Sequence, residues 1–308
     1  ILDPGGLINV ITKRPERQFS GSVSGTSTSF GGGTGSVDIT GPIEGTNLAY
    51  RLIGEYQNED YWRNFGKNKS SFIAPSLTWF GERATVTASY SHRDYSAPFD
   101  RGTIFDLNTG HAVNVDRKTR FDEAFNITDG YSDLAQLNAE YRLNDAWTAR
   151  FDYSYSQDHY NDNQARVMAY DSATGNLTRR VDGTHGSTQK MHSTRADLQG
   201  NVVVGGFYNE LLTGVAYENY DLLRTDMLRC KNVKGFNIYH PVYGTLDTCN
   251  TVSASDSDQR IQQESYAAYV QDALYLTDNW IAVAGVRYQY YTQYAGKGRP
   301  FNVNTDSR

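Results

Sequence analysis

Apolar and polar residues alternate one by one along several stretches of the chain. From Leu48 to Gln57 one face takes Leu48, Tyr50, Leu52, Gly54 and Tyr56, and the other takes Ala49, Arg51, Ile53, Glu55 and Gln57. Ala84, Val86, Ala88 and Tyr90 alternate with Thr85, Thr87, Ser89 and Ser91. The same holds for Ala135 to Leu143 and for Trp147 to Ser156. A period of two is the signature of a β-strand with unlike faces. Each run is about the nine to eleven residues that a tilted strand needs to cross a bilayer. The polar faces carry Arg51, Glu55, Glu140, Arg142, Arg150 and Asp152 in mid-strand, while the apolar faces end in Tyr or Trp. Such a pairing fits a wet lumen on one side and an aromatic-edged lipid band on the other.

Connection lengths support the same architecture. Leu143-Asn-Asp-Ala-Trp147 and Leu276-Thr-Asp-Asn-Trp280 read as nearly identical tight turns, and Phe80–Arg83 and Gly205–Gly206 as two more. Between them lie long polar segments, near 93–133, 160–190 and 223–262, which are expected to be loops. Short turns on one rim and long loops on the other are what outer-membrane barrels show. About eleven strands are expected, near 18–30, 35–41, 47–58, 69–79, 83–92, 133–143, 147–159, 190–204, 207–222, 263–276 and 279–294. Those around Tyr208–Tyr220 and Ser265–Leu276 alternate poorly.

Composition changes the picture only in part. The 308 residues are polar, with 38% hydrophobic and a mean hydropathy of −0.61. No run approaches the roughly 18 apolar residues of a transmembrane helix, which leaves barrels untouched. Aromatic residues are abundant, with 23 Tyr, 13 Phe and 4 Trp, as suits membrane interfaces and ligand-gripping mouths. The net charge of −6 and the lack of a basic stripe argue against nucleic acid as a partner.

The most specific signal is the opening stretch, Ile1 to Arg17. Asp3-Pro4-Gly5-Gly6 is turn chemistry, Leu7, Ile8, Val10 and Ile11 make a short strand, and Lys13-Arg14-Pro15 ends it. The run Gly5, Gly6, Ile8, Asn9, Val10, Thr12, Lys13 resembles the last plug strand of TonB-dependent outer-membrane siderophore receptors. The run Tyr269-Val-Gln-Asp272 adds support. The resemblance implies an all-β fold: residues 1–17 as the end of a plug domain, and 18–308 as the first half of a transmembrane antiparallel barrel. Barrels of that kind close with about 22 strands. It also implies a ferric siderophore as ligand, TonB as the energy-supplying partner, outer-membrane lipid as surroundings and no covalent catalysis. Ferric citrate, catecholate, pyoverdine, haem or cobalamin are the alternative ligands, and a passive porin the alternative class.

No Ser–His–Asp, His-Glu-x-x-His or Cys-x-x-Cys pattern occurs, and the six histidines are scattered without metal-ligand spacing. No resident cofactor or metal is expected. Cys230 and Cys249 would be free thiols in a cytosolic protein and a loop-stapling disulfide in an exported one. The long loops offer rings: Tyr95, Phe99, Phe105, Tyr160, Tyr170, Phe236, Tyr239 and Tyr243 are the candidate ligand contacts. The Phe236–Tyr243 run, inside the cysteine loop, is the candidate ordered binding loop. Within the family, these aromatic-lined loops and the neighbourhood of Asp100–Thr103 most resemble receptors for ferric hydroxamates of the ferrichrome type, whose neutral centre rings and hydrogen bonds would satisfy, whereas Arg93, Arg101, Arg117, Lys118 and Arg120 leave room for an anionic chelate.

Overall fold

The computed structural model describes residues 11–225, 227–253, 258–298 and 300–307. The strands among them are β1 (Ser20–Ser27), β2 (Gly32–Ile43), β3 (Leu48–Asp60), β4 (Lys67–Phe80), β5 (Ala84–Pro98), β6 (Phe105–Asp106), β7 (His111–Ala112), β8 (Ile127–Arg142), β9 (Trp147–Asp171), β10 (Asn176–Val204), β11 (Phe207–Arg224), β12 (Met227–Asn237), β13 (Gln259–Thr277), β14 (Trp280–Lys297) and β15 (Asn302–Ser307). No helix occurs among the described residues. One antiparallel sheet runs β1-β2-β3-β4-β5-β8-β9-β10-β11-β13-β14-β15, with β12 paired to β10, while β6 and β7 form a separate small hairpin. Each expected strand has its counterpart, including the poorly alternating ones at β11 and β13.

Register shows why alternation recurs from strand to strand. Val86, Ala139, Phe151, Ala196, Val215 and Ala268 stand side by side across six strands. The next row, Thr87, Asn138, Asp152, Arg195, Ala216 and Ala267, points the other way. The first face is open, with Val215 57% exposed. Trp79, Tyr141 and Trp147 edge it towards the short turns, and Tyr90, Tyr155, Tyr217 and Tyr266 towards the other rim. On the second face Asn138 donates to Asp152 (2.6 Å), and Arg195 pairs with Asp152 and Asp197 (3.0 Å each). The first face suits an apolar surrounding and the second water, as the two sides of a membrane barrel require.

The short turns are built as the residues suggest. The Asn144 side chain accepts from the backbone amides of Ala146 and Trp147 (2.9 Å each), an Asx turn that starts β9. Gly205 and Gly206 both have positive φ (61° and 87°), the requirement of a two-residue hairpin joining β10 to β11.

Two expected loops are corrected. Residues 160–190 continue β9 and β10 as a long ribbon that turns at 172–175, and the 223–262 segment contains β12, which pairs with the upper part of β10. Asp171 organises the turn, its side chain accepting from Ala173 N (3.0 Å) and Thr174 Oγ1 (2.7 Å), and Gly175 takes positive φ.

Residues 11–17 lie against the polar face. Asp38 receives Lys13 Nζ (2.7 Å) together with Arg51 Nε and Nη2 (2.8 and 2.7 Å). Arg51 also donates to the Arg14 carbonyl (3.0 Å) and to Glu16 (3.2 Å), and Glu16 N donates to Thr40 Oγ1 (2.9 Å).

Candidate functional site at the long-loop rim

Above the sheet, the 61–66 turn, the 99–126 segment, the β9–β10 ribbon and the 227–249 segment pack into one block. Two apolar clusters form its core. Ala165, Val181, Leu228, Leu246 and Cys249 make the first, and Phe121, Leu177, Phe236 and Ile238 the second. The Cys230–Cys249 disulfide, with a Cα–Cα distance of 5.7 Å, ties β12 to the segment that follows it.

Three buried ion pairs lie in the block, and the first and third of them join separate segments. Arg63 pairs with Asp100 (2.8 Å), Arg120 with Asp122 (2.8 Å) and Arg179 with Glu123 (2.8 Å). Each side chain is less than a tenth exposed. Arg179 also donates to the carbonyls of Phe121 and Asp122 (3.4 and 3.3 Å) and lies 4.0 Å above the Phe236 ring, while Glu123 receives the Gly244 amide (2.6 Å). Asn126 extends the β9 ladder by side chain, accepting from Ala165 N (2.8 Å) and donating to Ala165 O (3.0 Å).

Electrostatics differ within the block. Burial pulls the Arg179 guanidinium below its ordinary range, with Glu123 offsetting part of the effect. Burial holds the Asp122 carboxyl above the usual carboxylate range despite Arg120. Asp100 goes the other way: burial pushes it up, but the Gly102 amide, Arg63 and Tyr61 outweigh that and leave it below the usual range.

The eight candidate rings fall into two groups. Phe236 is 5% exposed and belongs to the core, and Tyr170 packs against the same cluster. Tyr243 lies between Phe65 and Phe236 (centroids 5.0 and 5.6 Å) and donates to the Arg120 carbonyl (2.9 Å), so it holds loops together. Phe105 and Tyr239 are more than half exposed, Tyr239 over Gly175, where its ring leaves no room for a Cβ. Tyr95, Phe99 and Tyr160 are half-buried. Tyr95 pairs with Gly130 and Gly130 with Tyr160, so the two tyrosines share the face that lower down carries Asp152. Phe99 lies under Arg101, 5.2 Å away.

Of the candidate cations, Arg120 is spent on Asp122, while Arg93, Arg101, Arg117 and Lys118 are exposed. Of the opening motif, Thr12 and Lys13 lie on the polar face as described, and Gly5, Gly6, Ile8, Asn9 and Val10 fall outside the described residues. No cluster of three or more His, Cys, Asp or Glu among the described residues is placed to hold a metal ion. The residues that sequence reasoning passed over are Gln164, Arg166, Arg180 and Asp182. They alternate along the ribbon read as loop, and the Asp171–Gly175 turn between them was the available signal.

An all-β wall with one open apolar side, one polar side, short turns at one rim and packed long loops at the other has the architecture of an outer-membrane β-barrel. The chain belongs to the family described as TonB dependent receptor-like, beta-barrel, whose model matches residues 62–308. It is 25% identical over 297 residues to the metal-pseudopaline receptor CntO of Pseudomonas aeruginosa, an alignment covering 94% of this chain and 41% of that protein. It is 21% identical over 304 residues to the ferric-pyoverdine BN7/BN8 receptor of Pseudomonas putida, covering 92% and 36%. Among solved structures, the ferric-catecholate import receptor Fiu of Escherichia coli K12 superposes with a TM-score of 0.79 at 19% identity, over 96% of this chain and 51% of that one. The chain therefore spans about four-tenths of the length of the curated relatives it matches.

Proposed function

We propose that the whole protein is a receptor without enzymatic activity that binds a ferric siderophore above the barrel mouth and imports it with energy supplied through TonB. Residues 1–17 are then the end of its plug and residues 18–308 the first part of its wall, set in outer-membrane lipid. The observation that carries the reading is the cross-linked block. Two buried ion pairs between segments, Arg63–Asp100 and Arg179–Glu123, and a disulfide hold the long loops in one arrangement, as recognition of a particular ligand needs and a passive pore does not. Tyr95, Phe99, Phe105, Tyr160 and Tyr239 are the rings left open enough to touch a ligand. Rings alone suit a neutral hydroxamate such as ferrichrome, and free guanidiniums suit an anionic chelate.

The test is uptake of radio-iron chelates by cells that produce the receptor as their only route, with and without TonB. Saturable uptake abolished by loss of TonB is the expected result. Uptake that rises linearly with concentration and ignores TonB would make the protein a passive porin.

A further inference from the structure

The upper ribbon carries a guanidinium cluster on one face. Gln164 pairs in register with Asp182, and Arg166 with Arg180, so all four share that face. By strand alternation it is the β9 face that carries Asp152, Asp158 and Tyr160 lower down. Asp182 serves two arginines at once: it receives Arg180 Nε and Nη2 (2.7 and 2.8 Å) and Arg166 Nη1 (3.2 Å). Arg101 reaches in from the 99–126 segment and has no carboxylate. Its Nε donates to the neutral Gln164 side-chain oxygen (2.8 Å), as does its Nη2.

The acids facing the cluster are Asp182 and Asp162. Asp162 is buried and held by the Gln164 amide. Three guanidiniums therefore face two carboxylates. Partial burial first, and then the neighbouring Arg166, lower the Arg101 guanidinium from its ordinary range, with Asp182 and Asp162 offsetting part of the effect. Phe99 lies under Arg101, and Tyr95 and Tyr160 share the ribbon face below it. Planar guanidiniums bind anionic oxygens as a fork, which a neutral amide oxygen satisfies only in part.

We infer that Arg101, backed by Arg166 and Arg180, is the specificity-determining contact of this mouth, and that it selects a metal chelate bearing anionic oxygens over a neutral hydroxamate. The inference rests on the receptor reading above and sharpens it. Gln164 then acts as a placeholder, orienting the Arg101 fork until the ligand's oxygen replaces its own.

The experiment is tryptophan-quenching titration of the full-length receptor in detergent with four probes: ferric enterobactin and ferric citrate, both anionic, ferrichrome, neutral, and ferrioxamine B, cationic. Two variants accompany it. Arg101→Gln removes the fork, and Gln164→Glu supplies a carboxylate that consumes it at nearly constant volume. Saturable quenching by an anionic probe is expected, with the Kd raised at least tenfold in both variants and their strand signal unchanged. Saturation by ferrichrome or ferrioxamine B alone would overturn the inference and leave the receptor intact. Anionic binding that both variants keep within twofold would remove Arg101 from the site. Silence from every probe in the wild type would end the ferric-chelate reading and this inference with it.

Discussion

The Arg179–Glu123 pair offers the sharpest quantitative test of the loop block. Both side chains are 2% exposed, and together they hold β10, the 121–126 segment and Gly244. Glu123→Ala leaves a buried guanidinium bonded to carbonyls and the Thr245 hydroxyl and stacked on the Phe236 ring, with Asp122, already paired to Arg120, as its remaining counter-charge. Stranding one partner of such a pair typically costs about 3–5 kcal/mol. The pair sits above the wall, so the loss should appear as local opening of the block rather than melting of the barrel. At about 1.4 kcal/mol per decade, the opening constant rises roughly 150- to 4,000-fold. Hydrogen exchange followed by mass spectrometry would read it in peptides spanning 119–126 and 236–246, with β13 as internal reference. Arg179→Met should behave alike. The double variant Glu123→Leu with Arg179→Met should recover at least half of the loss, because no lone charge remains. Exchange within threefold of wild type in both single variants, or a double variant as open as the sum of the singles, would refute the reasoning.

Four further outcomes are expected. The folded-state pKa of Asp100 lies below the ordinary 3.8, so its contribution is present above that value and lost as pH falls through the folded value. Exchange in the 99–104 segment should therefore accelerate below about pH 4, and Asp100→Asn should abolish that acid step while opening the segment already at neutral pH. Replacing both Cys230 and Cys249 by Ser should weaken the 230–249 loop by about 3 kcal/mol, seen as new proteolytic cleavage there. Asp38→Asn should release residues 11–17, measured as faster exchange in that peptide with β4 unchanged. Val215→Arg, on the lipid face, should lower folding stability in bilayers by about 2–4 kcal/mol, whereas Ala216→Arg, on the polar face of the same strand, should be tolerated in a urea titration.

The spanning strands were legible because lipid and water impose opposite demands on alternate residues, and Val86, Phe151 and Val215 answer one while Thr87, Asp152 and Arg195 answer the other. β13 was harder to read because tyrosine serves both sides: Tyr266 stands on the open face, whereas Tyr269 donates to Asp197 on the polar one. The ribbon above was illegible for a related reason. Loop segments, not lipid, cover the face with Ala165 and Val181, so no hydropathy contrast marks 160–190 as strand. In the loop block, the sequence marks the rings but not which of them are buried. Whether Phe236 or Tyr239 faces outward depends on partners such as Arg179 and Gly175, more than fifty residues away in the chain. The ion pairs between segments were likewise invisible, since nothing local says that Arg63 meets Asp100 and Arg179 meets Glu123 while Arg101 donates to an amide.

The length of the central ribbon has a mechanical consequence. β9 and β10 run 25 and 29 residues, well over twice the roughly ten that a bilayer requires. A free two-stranded ribbon of that reach would bend at its root. Here β12 adds a third strand at the top, and the 99–126 segment braces the side. The projection is braced as a lever: a load at its tip would reach the wall as a tilt of β9 and β10 together rather than as bending at the root.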